Sequence, residues 1–148
     1  MAGKRFELEQ VLKYRMEVER MRTQEFAVAR LDFEHASDQL SREEAQVVLL
    51  GAEFCQRHAE LDCIEDLRLY ADFFARKRDE IKDQQERVNQ LDTVMSDRRD
   101  VLLEAAKDKK VLESLKDKKA LEFRLSMDKR EQNFMDEIAI QNKVSKSL

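Results

Sequence analysis

Apolar side chains in the second half of the chain recur at alternating intervals of three and four residues. This repeat is typical of helices that pack lengthwise, because such a stripe can be covered only by another helix. Gln84, Arg98 and Lys109 occupy the remaining positions of the repeat. The apolar positions are Ile81, Val88, Leu91, Met95, Leu102, Ala105 and Leu112.

The first half has a similar stripe, but its spacing changes once. The step from Met21 to Phe26 spans five residues, so we expect a local distortion of the coiled coil there. The stripe comprises Val11, Tyr14, Val18, Met21, Phe26, Ala29, Phe33, Ala36, Leu40, Val47 and Phe54.

These two stripes predict an all-α fold, a long two-helix antiparallel coiled-coil hairpin in a single domain over residues 1–148. Proline is absent and only two glycines occur, so little interrupts either helix. We expect helix one at about 4–57, a turn at about 57–62 and helix two at about 62–143.

The turn is placed by a capping pattern, since Asp62 can accept from the following amides while Glu65 reaches back. Two other breaks stay open. Ser41 begins a second capping pattern, and Gly51 is the one glycine in the middle of the chain.

The C-terminal helix is expected to overhang its partner. With a turn near residue 60, Leu8 lies opposite the neighbourhood of Leu112, and residues from about 120 to 142 have no helix beside them. Exposed apolar side chains on an unpaired helix predict contact with another protein. The segment contains Leu121, Leu125, Phe134, Met135 and Ile138.

Charge is unevenly distributed along the chain. Charged residues make up 41% of the sequence and the net charge is -4, yet residues 31–66 contain ten acidic and only two basic side chains. Regions of different charge along the chain are therefore expected to contact different partners.

The longest apolar run, residues 47–52, is far shorter than the roughly 20 residues of a membrane-spanning helix. We expect a soluble cytoplasmic protein without membrane insertion.

Candidate chemistry is sparse. Cys55, His58 and Cys63 could be zinc ligands, but the set is one ligand short, and they are better explained as ordinary helix and turn residues.

No glycine-rich phosphate loop or nucleophile elbow occurs, so we expect no catalysis and no cofactor. A lysine-rich stretch is interrupted by acids, which favours a solvated face over nucleic-acid binding. Its lysines are Lys107, Lys109, Lys110, Lys116, Lys118 and Lys119.

Three aromatic residues follow the predicted turn. Tyr70, Phe73 and Phe74 fall within five residues, so they cannot all point into a narrow two-helix seam. They form either a thicker packing cluster or an exposed binding patch. The opposite side of such a patch would contain Leu49, Leu50 and Phe54.

Both ends of the chain resemble the flagellar export protein FliJ family. The beginning contains Phe6, Leu8, Val11, Leu12, Tyr14 and Arg15 at the family's spacing, and the end contains the run from Arg130 to Glu137. The resemblance covers essentially the whole chain, although its middle is generic coiled coil.

The resemblance implies a non-enzymatic, monomeric stalk whose terminal ends enter the hexameric flagellar export ATPase and promote its assembly and activity. It further implies contact between the turn region and the cytosolic domain of the export-gate membrane protein, and handling of export chaperones. The implied gate-binding residues are Phe54, Tyr70, Phe73 and Phe74. The implied ATPase-binding residues are Phe6, Leu8, Leu12, Arg15, Arg130, Glu131, Gln132, Phe134, Asp136 and Glu137.

Other interpretations remain open. Leu8 and Leu12 could simply close the hairpin. The equivalent stalk of a virulence-type secretion system would share the fold and the class of ATPase partner. A generic coiled-coil scaffold or dimer, with helices paired between chains, belongs to a different class.

Overall fold

The computed structural model describes residues 5–57, 59–60 and 63–147. Two α-helices account for most of them, α1 over Glu9–Arg57 and α2 over Ile64–Ser147. The helices pack against each other in antiparallel orientation, which confirms the predicted all-α hairpin.

The connection between the helices lies between Arg57 and Ile64. The amide of Glu60 donates to the carbonyl of Arg57 at 2.9 Å, which makes a tight turn at the end of α1. The amide of Leu67 donates to the carbonyl of Cys63 at 3.5 Å, so Cys63 directly precedes α2. Asp62, the expected capping residue, lies outside the described residues. Glu65 is in the first turn of α2, where a carboxylate interacts favourably with the helix dipole.

Neither alternative break interrupts α1. Ser41 and Gly51 both lie inside the helix. A Cβ added to Gly51 would meet no atom within 4 Å, so no close approach requires glycine at this position.

The chain divides into two units. Unit 1 comprises Met1–Arg20 and Glu104–Leu148, and unit 2 comprises Met21–Leu103. Each unit contains part of α1 and part of α2.

In unit 2, the seam between the helices is a regular alternation of three- and four-residue steps. On α1 it runs from Arg22 to Phe54 and on α2 from Tyr70 to Leu102, and nearly all of its residues are buried or half-buried. The predicted distortion after Met21 is wrong for this seam. Arg22 is the residue that faces α2, and the next step, to Phe26, spans four residues.

The α2 half of the seam agrees with the sequence pattern. All seven predicted apolar positions are buried or half-buried, and so are Gln84 in unit 2 and Lys109 in unit 1. Arg98 is more exposed, and its guanidinium donates to Glu25 at 3.4 Å.

In unit 1, the first turns of α1 correct the predicted stripe. Leu12, Arg15 and Glu19 face α2, whereas Val11 and Tyr14 are exposed, Tyr14 by 62%. Polar side chains thus occupy seam positions that the pattern of apolar residues assigned to neighbouring residues.

Candidate functional site

Residues 117–147 of α2 have no helix beside them in the described part of unit 1. The last pair between the helices joins Lys116 to Glu9, with Nζ 2.9 Å from Oε2. Every described residue after Lys116 is exposed except Met127, which is half-buried. We call residues 117–147 the uncovered segment.

Large apolar side chains on this segment face solvent. Phe134 is 63% exposed and Met135 is 64% exposed. Scattered exposed apolar residues are ordinary, but this many on one unpaired helix mark a candidate interaction surface. The exposed apolar residues are Leu121, Phe123, Leu125, Phe134, Met135, Ile138, Ile140 and Val144.

The structure places the C-terminal candidate residues together on this segment. Arg130, Glu131, Gln132, Phe134, Asp136 and Glu137 are all exposed. Their charged members make no ion pair with any other described residue. Their side chains are therefore free to contact another molecule.

The N-terminal candidates lie in a different environment. Leu12 is 4% exposed and packs in the seam, which agrees with the interpretation that it closes the hairpin. Arg15 Nη1 lies 3.3 Å from Asp108 Oδ2 on α2. Phe6 is half-buried and Leu8 is 38% exposed. Only part of this set is available on the surface.

Ion pairs set the register of α1 against α2 in unit 1. Lys109 Nζ lies 2.6 Å from Glu19 Oε2, and this hydrogen bond raises the pKa of Lys109 above its ordinary value. Glu9 lies beside Lys116 rather than near position 111, so unit 1 is shifted by a few residues from the expected pairing.

In unit 2, Lys77 Nζ lies 2.6 Å from Glu43 Oε2, as expected for a turn centred near residue 60. That hydrogen bond is the main cause of the raised pKa of Lys77. Since both side chains are largely shielded from solvent, their pairing helps to fix the register within unit 2.

The four aromatic candidates of unit 2 form one cluster. The ring of Phe54 lies 5.1 Å from that of Tyr70 and 6.1 Å from that of Phe74, and Phe73 lies 6.2 Å from Phe74. These separations are typical of stabilising aromatic pairs. All four rings are half-buried, so the cluster packs the hairpin while part of each ring remains accessible.

Exposed aliphatic residues lie close in sequence to this aromatic cluster. Leu49 is 71% exposed on α1 and Leu69 is 67% exposed on α2. Ile64 and Leu69 were not singled out from the sequence, because they lie off the predicted stripe. Their exposure could be recognised only once the direction of the seam was known.

The remaining candidate chemistry finds no support in the structure. No group of three potential metal ligands occurs among the described residues, and His58 lies outside them. In the lysine-rich stretch, four lysines make ion pairs with glutamates, two of them along the exposed side of α2 and two across the seam to α1. These four are Lys107, Lys109, Lys116 and Lys119.

Over the described residues, neither α1 nor α2 has a stretch that is both long and apolar enough to cross a membrane.

Two paired helices with a long uncovered C-terminal segment define an all-α helical hairpin of the coiled-coil class. The comparison with protein families gives a more specific result. The model of the flagellar FliJ protein matches residues 4–147, almost the entire chain, and the chain therefore belongs to the FliJ family. Family membership makes it a component of flagellar type III protein export, in which the family has a stalk-type, non-catalytic role.

Neither the curated proteins nor the solved structures contain a match to this chain.

Proposed function

We propose that the protein is a non-enzymatic stalk of the flagellar type III export apparatus, and that its uncovered segment enters the central opening of the hexameric export ATPase. The observation behind this proposal is that α2 continues well beyond its last pair with α1 and exposes large apolar side chains. Family membership supports the flagellar setting.

In this proposal, the residues of the uncovered segment have two roles. Phe134 supplies apolar contact area, since aromatic side chains commonly dominate binding energy at interfaces. Arg130, Glu131, Gln132, Asp136 and Glu137 supply charged and polar contacts that orient the segment in the ring.

The N-terminal set contributes unequally. Leu12 acts through packing, because it is buried between the helices and holds α1 against α2. Phe6, Leu8 and Arg15 lie nearer the surface and add contacts to the ATPase.

A second surface serves the export gate. We place the cytosolic domain of the gate protein against Phe54, Tyr70, Phe73 and Phe74 in unit 2. The accessible parts of these rings and the exposed aliphatic residues around them favour an apolar contact. The stalk would then act in the cytoplasm, at the membrane of the flagellar base, and would also contact export chaperones.

Turnover of the cognate export ATPase tests the proposal. The full chain should stimulate turnover, and deletion of residues 128–148 should abolish this stimulation while helicity of the remaining chain persists. Phe134→Asp in the full chain should weaken binding about tenfold or more, because it places a charge at the apolar contact.

Leu49→Asp provides the matched control, since Leu49 is similarly exposed but belongs to unit 2. It should leave stimulation of the ATPase unchanged. Full stimulation by the chain lacking residues 128–148 would refute the proposed contact.

A further inference from the structure

The uncovered segment continues the face of α2 that packs against α1. In unit 1 that face is formed by Ala105, Lys109, Leu112 and Lys116, all buried or half-buried. From Lys116 onward, steps of four, three, four, seven and four residues stay on one side of a helix. These steps reach Ala120, Phe123, Met127, Phe134 and Ile138.

Two opposite charges flank the middle of this face. Arg130 precedes Phe134 by four residues and Glu137 follows it by three, so both lie beside the ring. Residues seven apart occupy the same edge of a helix in a coiled coil. In the described part of the chain neither residue has an ion-pair partner, whereas Lys109 and Lys116 on the covered part of this face are both paired.

We propose that, in the absence of the ATPase, a second copy of this chain covers the uncovered segment in antiparallel orientation, with the twofold axis beside Phe134, between positions 133 and 134. This symmetry brings identical edges of the two helices together, so Arg130 faces Glu137 of the second copy and Glu137 faces its Arg130. A substitution of Arg130 or Glu137 therefore changes two ion pairs in the dimer.

The same register avoids a clash with α1. With Arg130 opposite position 137, residue 147 of one copy lies opposite position 120 of the other. Through Ser147, where α2 ends, the second helix therefore stays short of Lys116, where α1 begins to cover the face. The pairing hides Phe134, so dimer formation and binding to the ATPase exclude each other.

Sedimentation of the full chain between about 1 and 300 µM tests this pairing, a range suited to a micromolar dimer. We expect a reversible monomer–dimer equilibrium. Arg130→Glu and Glu137→Arg should each weaken the dimer about tenfold, because each creates two like-charge contacts by symmetry. The double variant Arg130→Glu/Glu137→Arg should restore dimer formation, because opposite charges face each other again.

Lys129 and Asp136 provide a matched control. They have the same charges and the same seven-residue spacing, but they lie on the other side of the helix. Lys129→Glu and Asp136→Lys should leave the equilibrium unchanged.

Four results would overturn the proposal. In the first, the full chain stays monomeric throughout the concentration range, and in the second, the double variant forms dimers no better than the single variants. In the third, Lys129→Glu weakens the dimer as much as Arg130→Glu does. In the fourth, deletion of residues 117–148 leaves dimer formation unaltered.

Discussion

Units 1 and 2 use the same helical repeat in opposite ways. In unit 2, the seam residues of α1 and α2 shield one another, from Arg22 and Leu102 to Phe54 and Tyr70. Among the described residues of unit 1, α1 covers α2 only as far as Lys116, and the apolar face continues from there without a partner. The repeat alone therefore does not distinguish a stripe that holds the fold together from one that binds another molecule.

Truncation of one ring in each unit should have the most unequal effects on stability. Phe54→Ala removes the centre of the aromatic cluster and should lower the free energy of unfolding by about 2 kcal/mol, less than for a fully buried ring. Phe134→Ala should change it by less than about 0.5 kcal/mol, because Phe134 is 63% exposed and no second helix lies beside it in the described chain. Urea unfolding at low protein concentration measures both.

An equal loss of stability in the two variants would show that Phe134 is covered by its own chain. The distinction between the units would then be wrong.

A smaller effect is expected inside the unit 2 seam. Gln84 lies in the seam, and its side-chain oxygen is buried without a hydrogen-bond partner in the part of the chain that the structure describes. Gln84→Leu should therefore raise the free energy of unfolding by about 1 kcal/mol. Thermal unfolding measures it, with the exposed Gln85→Leu as control.

A lower melting temperature for Gln84→Leu would mean that this amide is needed for correct packing. Stimulation of the ATPase should be the same in both variants, since unit 2 does not enter the ring in our proposal.

Alkaline pH should produce the smallest effect. Hydrogen bonds to Glu43 and Glu19 raise the pKa of Lys77 and of Lys109 above the ordinary value of 10.5. A raised pKa means that this stabilisation is complete below pH 10.5 and is lost as the pH rises through the folded-state values. The melting temperature should show no lysine-dependent change between pH 7 and 10, and should fall above that range.

The double variant Lys77→Met/Lys109→Met should lose this alkaline dependence. If it retains the same decline, other groups are responsible.

The sequence predicts the α2 seam well, because most seam positions of α2 are apolar and the few polar ones lie between them. It predicts the beginning of α1 poorly. Arg15, Glu19 and Arg22 occupy seam positions there, with Arg15 and Glu19 paired to side chains of α2. Long polar side chains can pack their aliphatic parts while their charged ends are paired, and a count of apolar residues does not detect this.

The candidate site shows a similar limit. The uncovered segment follows from the unequal helix lengths, which could be estimated from the position of the turn. The candidate partner-binding residues within it were chosen only by resemblance to the family, because an exposed face looks the same whatever it contacts. The exposed Leu69 beside the aromatic cluster was not predicted from the sequence, because it does not belong to the apolar repeat.

Hydrogen exchange with and without the cognate export ATPase tests the central claim most directly. At a protein concentration well below that of the proposed dimer formation, amides of residues 118–140 should exchange rapidly in the free protein, because an unpaired helix opens readily. The account predicts strong protection of these amides in the complex and no change along the unit 2 seam. Protection confined to unit 2, with residues 118–140 unchanged, would contradict it.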